Sequence, residues 1–306
     1  MVPAYRSGEA LRSLVESVDA TLALLGQYEI IIVDDGSPDE TWAVIEELAA
    51  DRNTVRGMRL SRNYGQHSAL VAGVRAAVFP VTVTIDDDLQ NPPKEIPRLV
   101  AELFASNLDV VYGVPERVEQ SLPRRIAGRA TRMALKSGLG VDAAPSVSSF
   151  RAFRTRIRDA FAGDLGTNVS LDALLTWGGS RFGSIVVTHH PRCAGTSNYT
   201  FRKLLRFALD TTTGYSALPL QAASLLGLAT ALFGLVVLVF VTVRPVISGQ
   251  SVPGFPFLAA TIAIFAGVQL LTLGVIGEYL ARMHFRVMNK PTYLVGMTTE
   301  QRGEGR

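Results

Sequence analysis

Apolar positions alternate between two rhythms over the first hundred residues. Leu11, Leu14, Val15, Val18, Leu22 and Leu25 fall at helical spacing and predict a helix over 9–26. Residues 28–33, Tyr-Glu-Ile-Ile-Ile-Val, predict a strand that ends at Asp34-Asp35-Gly36-Ser37. Ser37-Pro38-Asp39-Glu40 then reads as a cap, an early proline and first-turn acids, opening a helix to about residue 51. Strands are predicted at 55–60, 81–85 and 109–113, and helices at 65–78 and 93–106. Strand and helix alternating at this spacing imply a mostly parallel sheet with right-handed crossovers. Residues 117–160 read as basic and helical, and 183–190 as a strand leading to His189-His190. At the other end, Val2-Pro3 stands where a first strand should already be finishing. That strand is expected to be nearly absent, and a truncated or misassigned start is favoured.

The rhythm changes in the last third. No residue from Leu218 to Val243 is charged, and Arg244-Pro245 closes that run. A second apolar run, 255–275, ends at Gly277-Glu278-Tyr279. Each is long enough to span a bilayer, and a Gly/Pro/Ser loop between them predicts a membrane hairpin rather than two core helices. Arg202, Lys203 and Arg206 precede it, Arg282, Arg286 and Lys290 follow it, and the connecting loop is flanked by Arg244 alone. The positive-inside rule then puts both ends, and the α/β part, on the cytoplasmic side. The expected organisation is a cytoplasmic catalytic domain at 1–198, a juxtamembrane amphipathic helix at 199–217, two membrane helices within 218–280 (about 218–243 and 255–278) and a tail at 281–306.

Composition agrees with this division. The chain is 48% hydrophobic over 306 residues, too apolar for an ordinary soluble domain. A net charge of +3 carries no nucleic-acid signature. The single cysteine, Cys193, excludes an intramolecular disulfide, and Met1–Arg6 lacks the apolar stretch of a signal peptide. The sequence leaves homo-oligomerisation open.

The chemistry gathers at strand ends. Asp86-Asp87-Asp88-Leu89-Gln90 follows the strand at 81–85, and Asn91-Pro92-Pro93 stops it. Three adjacent carboxylates repel one another unless a cation or strong donors lie near. They read either as a site for a hard divalent ion completed by a substrate phosphate, or as a turn whose Asp caps the next helix. Pro3-Ala4-Tyr5, Asp34-Asp35-Gly36-Ser37 and Ser61-Arg62-Asn63-Tyr64-Gly65-Gln66 follow the other strands. Strand carboxyl ends sharing one edge converge on one crevice. Asp34 and Asp35 suit a base or ribose, Arg62, Asn63 and Gln66 open a helix whose N-terminus favours an anion, and the aspartates suit a metal. This describes a nucleoside diphosphate site. Neither G-x-G-x-x-G nor a Walker A run is present, which disfavours a dinucleotide cofactor and a P-loop.

These four strand-end motifs resemble those of family 2 glycosyltransferases, which have the GT-A fold. Ser149-Phe150-Arg151-Ala152-Phe153-Arg154, Arg192-Cys193-Ala194-Gly195-Thr196-Ser197-Asn198-Tyr199 and the paired apolar runs resemble the polyprenyl-phosphate branch. That branch includes dolichol-phosphate mannose synthase, bactoprenol glucosyltransferases and undecaprenyl-phosphate aminoarabinose transferases. Arg6 stands where such proteins usually carry Asn, and Ser149 where many carry Asp, as in the aminoarabinose type. The Gln-x-x-Arg-Trp motif of processive synthases is absent.

The resemblance implies a membrane enzyme that moves one sugar from a nucleotide-sugar donor to undecaprenyl or decaprenyl phosphate. A UDP-sugar is the first choice of donor and GDP-mannose the alternative. A non-catalytic membrane scaffold is the reading from another class, and a soluble or protein acceptor the remaining one. Pro3, Tyr5 and Asp35 would hold base and ribose, with Asp87 also on the nucleotide. Asp86 and Asp88 would frame Mg²⁺ or Mn²⁺, Asp88 being the more direct ligand and Asp87 the most replaceable. Arg117, Arg124 and Arg151 are expected in catalysis; together with Arg125, Arg129, Arg192 and Lys203 they are candidates to hold the acceptor phosphate, with Ser197 and Tyr199 also at the acceptor. The basic run at 117–136 reads equally as a solvated face or a lipid head-group site. Asp172 is expected to be a core-edge acid, and His189-His190 to be structural.

Overall fold

The computed structural model describes residues 1–23, 25–115, 147–163, 165–166, 169–189, 218–248, 254–287 and 291–299. Four strands open the chain: β1 (Val2–Ala4), β2 (Ile30–Asp34), β3 (Val55–Leu60) and β4 (Val81–Thr84). Between them run α1 (Gly8–Leu22), α2 (Thr41–Asp51) and α3 (Gln66–Ala76). A 3₁₀ turn at Pro93–Glu95 leads into α4 (Ile96–Ala105), then β5 (Val110–Pro115). After the undescribed 116–146 come β6 (Arg151–Arg154), a 3₁₀ segment at Thr155–Phe161, α5 (Leu171–Gly178) and β7 (Phe182–Val187). Two long helices follow, α6 (Leu218–Ser248) and α7 (Gly254–Val287), and a last strand, β8 (Val295–Thr298).

The strands form two ladders, β1-β2-β3-β8 and β4-β6-β5-β7. Met1 joins them. Its amine donates to the Val83 carbonyl at 2.9 Å, and Ile85 N–H donates to the Met1 carbonyl at 3.1 Å, the pattern of a parallel pair. The combined order is β8-β3-β2-β1-β4-β6-β5-β7, parallel except for β6 and β8. The strand expected to be nearly missing is therefore three residues at the centre of the sheet, with Val2 opposite Ile32 and Ala4 opposite Asp34. Burial pushes the Met1 amine down to about 5.

Each face of the sheet carries helices. Val2, Ile30, Ile32, Val111 and Ala152 pack with Leu11, Leu14, Ile45 and Leu99 of α1, α2 and α4. On the other face, Val110, Tyr112 and Phe153 pack with Leu70, Val74 and Leu174 of α3 and α5. β2 is buried along its whole length, as a near-continuous apolar run in a parallel sheet requires.

Three expectations are corrected. Residues 151–154 form a strand, not a helix: β6 lies antiparallel between β4 and β5. Both of its faces are buried, so its apolar pattern carries no alternation to distinguish it from a helix. The first long helix does not stop at Arg244-Pro245 but continues to Ser248, one of the cases in which a helix runs through a proline instead of ending before it. The third concerns the C-terminal segment read as a tail. Its β8 pairs with β3, Thr292 is buried, and Leu294 accepts the Ser61 N–H at 2.8 Å.

α6 and α7 pack on each other, Gly234 admitting the Phe265 ring. Their apolar windows, Leu220–Val237 and Ile264–Ala281, have mean hydropathies of 2.0 and 1.6 and are almost wholly uncovered by protein. Both helices are long and apolar enough to cross a bilayer.

Candidate active site

β1 has β2 and β3 on one side and β4 on the other, so strand order reverses between β1 and β4. Crevices for ligands open at such points, outside the strand carboxyl ends. A cavity of about 340 Å³ lies there, lined by Pro3, Ala4, Tyr5, Asp35, Asn63, Gly65, Gln66 and Asp86 to Asp88. A second space of about 1120 Å³ adjoins it, bounded by Tyr5, Arg6, Ser7, Asp39, Asp87, Asp88 and Leu89. A third, apolar cavity of about 550 Å³ sits at the opposite strand ends between α1 and α4, away from this chemistry.

Loop geometry brings the walls together. Asp35 accepts from the backbone N–H groups of Tyr64 at 2.7 Å and Gly65 at 2.8 Å, so it caps the entry to α3 while lining the cavity. Burial raises its pKa, only partly offset by those two donors. Gly36, at φ +68, lets the loop after β2 pass against the Arg62 backbone; a Cβ there would lie 2.5 Å from the Arg62 carbonyl carbon. The Arg6 N–H donates to Ser37 Oγ at 3.1 Å, and the Ser7 N–H to Thr41 Oγ1 at 3.0 Å. Arg6 and Leu89 hold left-handed φ values of 58° and 56° beside the larger space. Non-glycine residues in that region cost energy and gather at functional sites.

The three aspartates have different partners. Asp86 accepts from Gln66 Nε2 at 2.8 Å and from Ser149 Oγ. Asp87 accepts from Ser7 Oγ, tying the β4 loop to the β1 loop. Burial raises its pKa; Ser7 works against this, and the charges of Asp86 and Asp88 add to it. Asp88 Oδ1 accepts the Gln90 N–H at 3.2 Å. The donor set is all hard oxygen, which fits Mg²⁺ or Mn²⁺. Among the described residues no group of three His, Cys, Asp or Glu closes a protein-only cage.

Two expected site residues lie apart from the cavity lining. Asp34 is fully buried, accepts the Ser37 N–H at 2.9 Å and pairs with Arg59 Nε at 3.2 Å; it shapes the turn and does not line the cavity. Arg151 is 1% exposed, pairs with Asp172 and donates Nε to Thr84 Oγ1 at 3.1 Å, so an acceptor phosphate has no access to it. Tyr112 Oη donates to the same Asp172 carboxylate at 3.1 Å, which makes Asp172 the core-edge acid expected. Arg62 is exposed over the Tyr64 ring at 4.7 Å and does not line the cavity. Arg117, Arg124, Arg125, Arg129, Arg192, Ser197, Tyr199 and Lys203 lie outside the described residues. Ser7 and Ser149 were missed as contacts of Asp87 and Asp86. Ser149 had one signal, its place before Phe150-Arg151.

The model of the family described as "Glycosyl transferase family 2" matches residues 1–161, more than half of the chain. The chain belongs to glycosyl transferase family 2. Over nearly its whole length this glycosyltransferase is similar to two proteins named undecaprenyl-phosphate 4-deoxy-4-formamido-L-arabinose transferase. One, from Pectobacterium carotovorum subsp. carotovorum, is 35% identical over 302 residues, covering 97% of this chain and 92% of the relative. The other, from Klebsiella pneumoniae subsp. pneumoniae, is 33% identical over 305 residues, covering 98% and 93%. Among solved structures, glucosyl-3-phosphoglycerate synthase from Mycobacterium tuberculosis, with Mn²⁺, uridine-diphosphate-glucose and phosphoglyceric acid, matches with a TM-score of 0.51 at 18% identity. That match covers 70% of this chain and 77% of the synthase, and it is a likeness of fold. The GT-A architecture and the glycosyltransferase class expected from the strand-end motifs are those of the enzyme.

Proposed function

We propose that this glycosyltransferase moves a single sugar from a nucleoside diphosphate donor, a uridine diphosphate sugar first, to polyprenyl phosphate at a membrane. One observation carries the reading: Pro3, Tyr5, Asp35, Asn63 and the aspartates at 86–88 share one cavity at the strand-order reversal. The names of the relatives support the lipid phosphate acceptor.

Tyr5, 43% exposed at the cavity wall, offers its ring to the base, and Pro3 and Asp35 bound the base and ribose. Asn63 and the amino end of α3 face the diphosphate. Asp86 and Asp88 would hold Mg²⁺ or Mn²⁺, the ion bound in the synthase's crystals. When bound, the ion supplies Lewis-acid neutralisation of the leaving diphosphate. The acceptor is a phosphate monoester with a second pKa near ~6, so it attacks as a dianion and needs no carboxylate base. Positioning and charge neutralisation then carry the rate. Arg117, Arg124, Arg125, Arg129, Arg192 and Lys203 are the cations for the acceptor phosphate, with Ser197 and Tyr199 beside them. Attack at the anomeric carbon forms the sugar–phosphate bond as the diphosphate leaves, inverting the configuration. α6 and α7 anchor residues 1–198 on the cytoplasmic face, where the basic residues before and after the hairpin hold both ends.

The test is a panel of UDP- and GDP-sugars with undecaprenyl phosphate. One donor should give an organic-extractable, acid-labile sugar lipid of inverted anomeric configuration, lost on adding EDTA. Transfer to a water-soluble acceptor alone, a retained anomer, or activity indifferent to EDTA would each remove the corresponding part.

A further inference from the structure

Asp86 has both carboxylate oxygens held by neutral donors from distant parts of the chain. Gln66 Nε2, in the first turn of α3, donates to Oδ1 at 2.8 Å, and Ser149 Oγ, just before β6, donates to Oδ2. The Ser149 carbonyl accepts the Thr84 hydroxyl at 2.6 Å. The same hydroxyl accepts Arg151 Nε at 3.1 Å, and Arg151 is locked in the core by Asp172. Thr84 and Arg151 are also register partners of β4 and β6. An unbroken set of bonds thus runs from a buried ion pair to one face of the cavity.

We propose that Ser149 is a positioning residue for Asp86, and that the Arg151–Asp172 pair is what holds Ser149 in place. The inference rests on the reading of Asp86 and Asp88 as the ion-binding pair. An aspartate carboxylate turns about a broad, two-fold torsion and has no strong orientation of its own. Donors on both oxygens fix its plane. Because they are a hydroxyl and an amide, they fix it without cancelling the charge that attracts a divalent ion; an arginine or lysine in either place would cancel it. On this reading a buried arginine of the Ser-Phe-Arg segment acts on the cavity through Thr84 and Ser149 without touching a reactant. It also gives Ser149 a role that no charge or periodicity in the sequence displays.

The measurement uses the full-length protein in lipid nanodiscs, with Ser149→Ala and Ser149→Thr beside the wild type. Free Mn²⁺ is followed by electron paramagnetic resonance during titration in the presence of UDP, or of GDP if that is the donor nucleotide, with no acceptor added. Ser149→Ala should weaken Mn²⁺ binding about 10- to 100-fold, the usual range for residues that orient a metal ligand. The donor KM should rise with it and the melting temperature should stay put, while Ser149→Thr, which keeps the hydroxyl, should remain within roughly threefold of wild type. Wild-type Mn²⁺ affinity in Ser149→Ala overturns the proposal even if turnover falls. So does an equal loss in Ser149→Thr, which would make packing the cause. A wild type that binds Mn²⁺ and nucleotide yet forms no sugar lipid refutes the proposed acceptor while leaving the Ser149 result intact. A wild type that takes up no Mn²⁺ with either nucleotide overturns both.

Discussion

Acids at the cavity edge and acids in the second half of the sheet are held in opposite ways. Asp109, at the start of β5, is buried, which works to raise its pKa, but Arg181 and the backbone N–H groups of Ser180 and Arg181 outweigh burial and carry it below the usual range. Glu95 is likewise lowered against burial, by Thr188 and Arg98. Asp172 has Arg151. At the cavity, Asp35 and Asp87 are instead raised, burial being the largest cause of each, and their hydrogen bonds come from backbone and hydroxyl donors. Where the fold uses an acid as structure it supplies a cation; under the proposed reading, the acids at the cavity edge are the ones that would meet a ligand's cation. Asp34 shows that the distinction is not one of location. It neighbours Asp35 in sequence, yet its pairing with Arg59 puts it with the structural acids.

The sharpest break of this comparison is Asp88→Ala against Asp109→Ala. Under the proposed reading Asp88→Ala removes a ligand of the ion that neutralises the leaving diphosphate. Transfer should fall about 10³-fold, roughly 4 kcal/mol of transition-state stabilisation. The melting temperature should hardly move, because Asp88 lies in the loop after β4 at the cavity edge rather than in the core. Asp109→Ala should do the reverse, lowering the melting temperature while sparing kcat. Equal losses of activity would dissolve the distinction.

Arg151→Ala tests the structural side. Removing one partner of a buried pair leaves the other charge stranded, at about 3–5 kcal/mol. Asp172 and Tyr112 would be left without it, and denaturant unfolding of the catalytic domain should record the loss. A direct hold on the acceptor phosphate, as the sequence led one to expect, would instead raise the acceptor KM at unchanged stability.

The burial of Arg151 was not legible in the sequence. An arginine in a basic segment carries the same letter whether it faces a phosphate or a carboxylate in the core. The strand-end motifs were legible because their signals are local: β3 was expected over the residues it occupies, and the runs Asp34–Ser37, Arg62–Gln66 and Asp86–Gln90 follow the strands expected to carry them. β6 was not legible, since a strand with both faces buried has no alternation, and its partners β4 and β5 were already complete as sequence patterns. β8 was not legible either. Its four residues, Val-Gly-Met-Thr, become a strand only because β3 offers an edge to them. Ser7 and Ser149 matter through single hydroxyl contacts that follow from tertiary placement alone.

A smaller effect separates the two loops that meet at Gly36. Gly36→Ala puts a methyl group against the Arg62 backbone at a left-handed φ, and the combined strain and overlap should cost about 1–3 kcal/mol. The loop from Arg62 to Gly65 would have to retreat. It carries Asn63 on the cavity wall, so nucleotide affinity should fall in step with stability. Gly26→Ala is the control: it too has a left-handed φ, but no atom lies within 4 Å of its Cβ, so it should carry the conformational cost without changing nucleotide affinity.

The smallest effect is a gain. Asp87 has its pKa raised chiefly by burial, with its two neighbouring acids adding to the rise. As pH falls through that raised value the folded protein takes up a proton that the unfolded chain, with its Asp near ~3.9, does not yet bind. Stability from this group therefore increases as pH falls through that window and is lowest above it. Asp87→Asn keeps an oxygen to accept from Ser7 and removes the charge. In metal-free buffer it should stabilise the catalytic domain by about 0.5–1 kcal/mol at pH 7, and the advantage should shrink toward zero as pH approaches 4. Melting curves across that range measure it. The variant also ranks the aspartates. If Asp87 only joins the β1 and β4 loops, Asp87→Asn retains most of its transfer activity, whereas a loss equal to that of Asp88→Ala would put all three carboxylates on the donor and its ion.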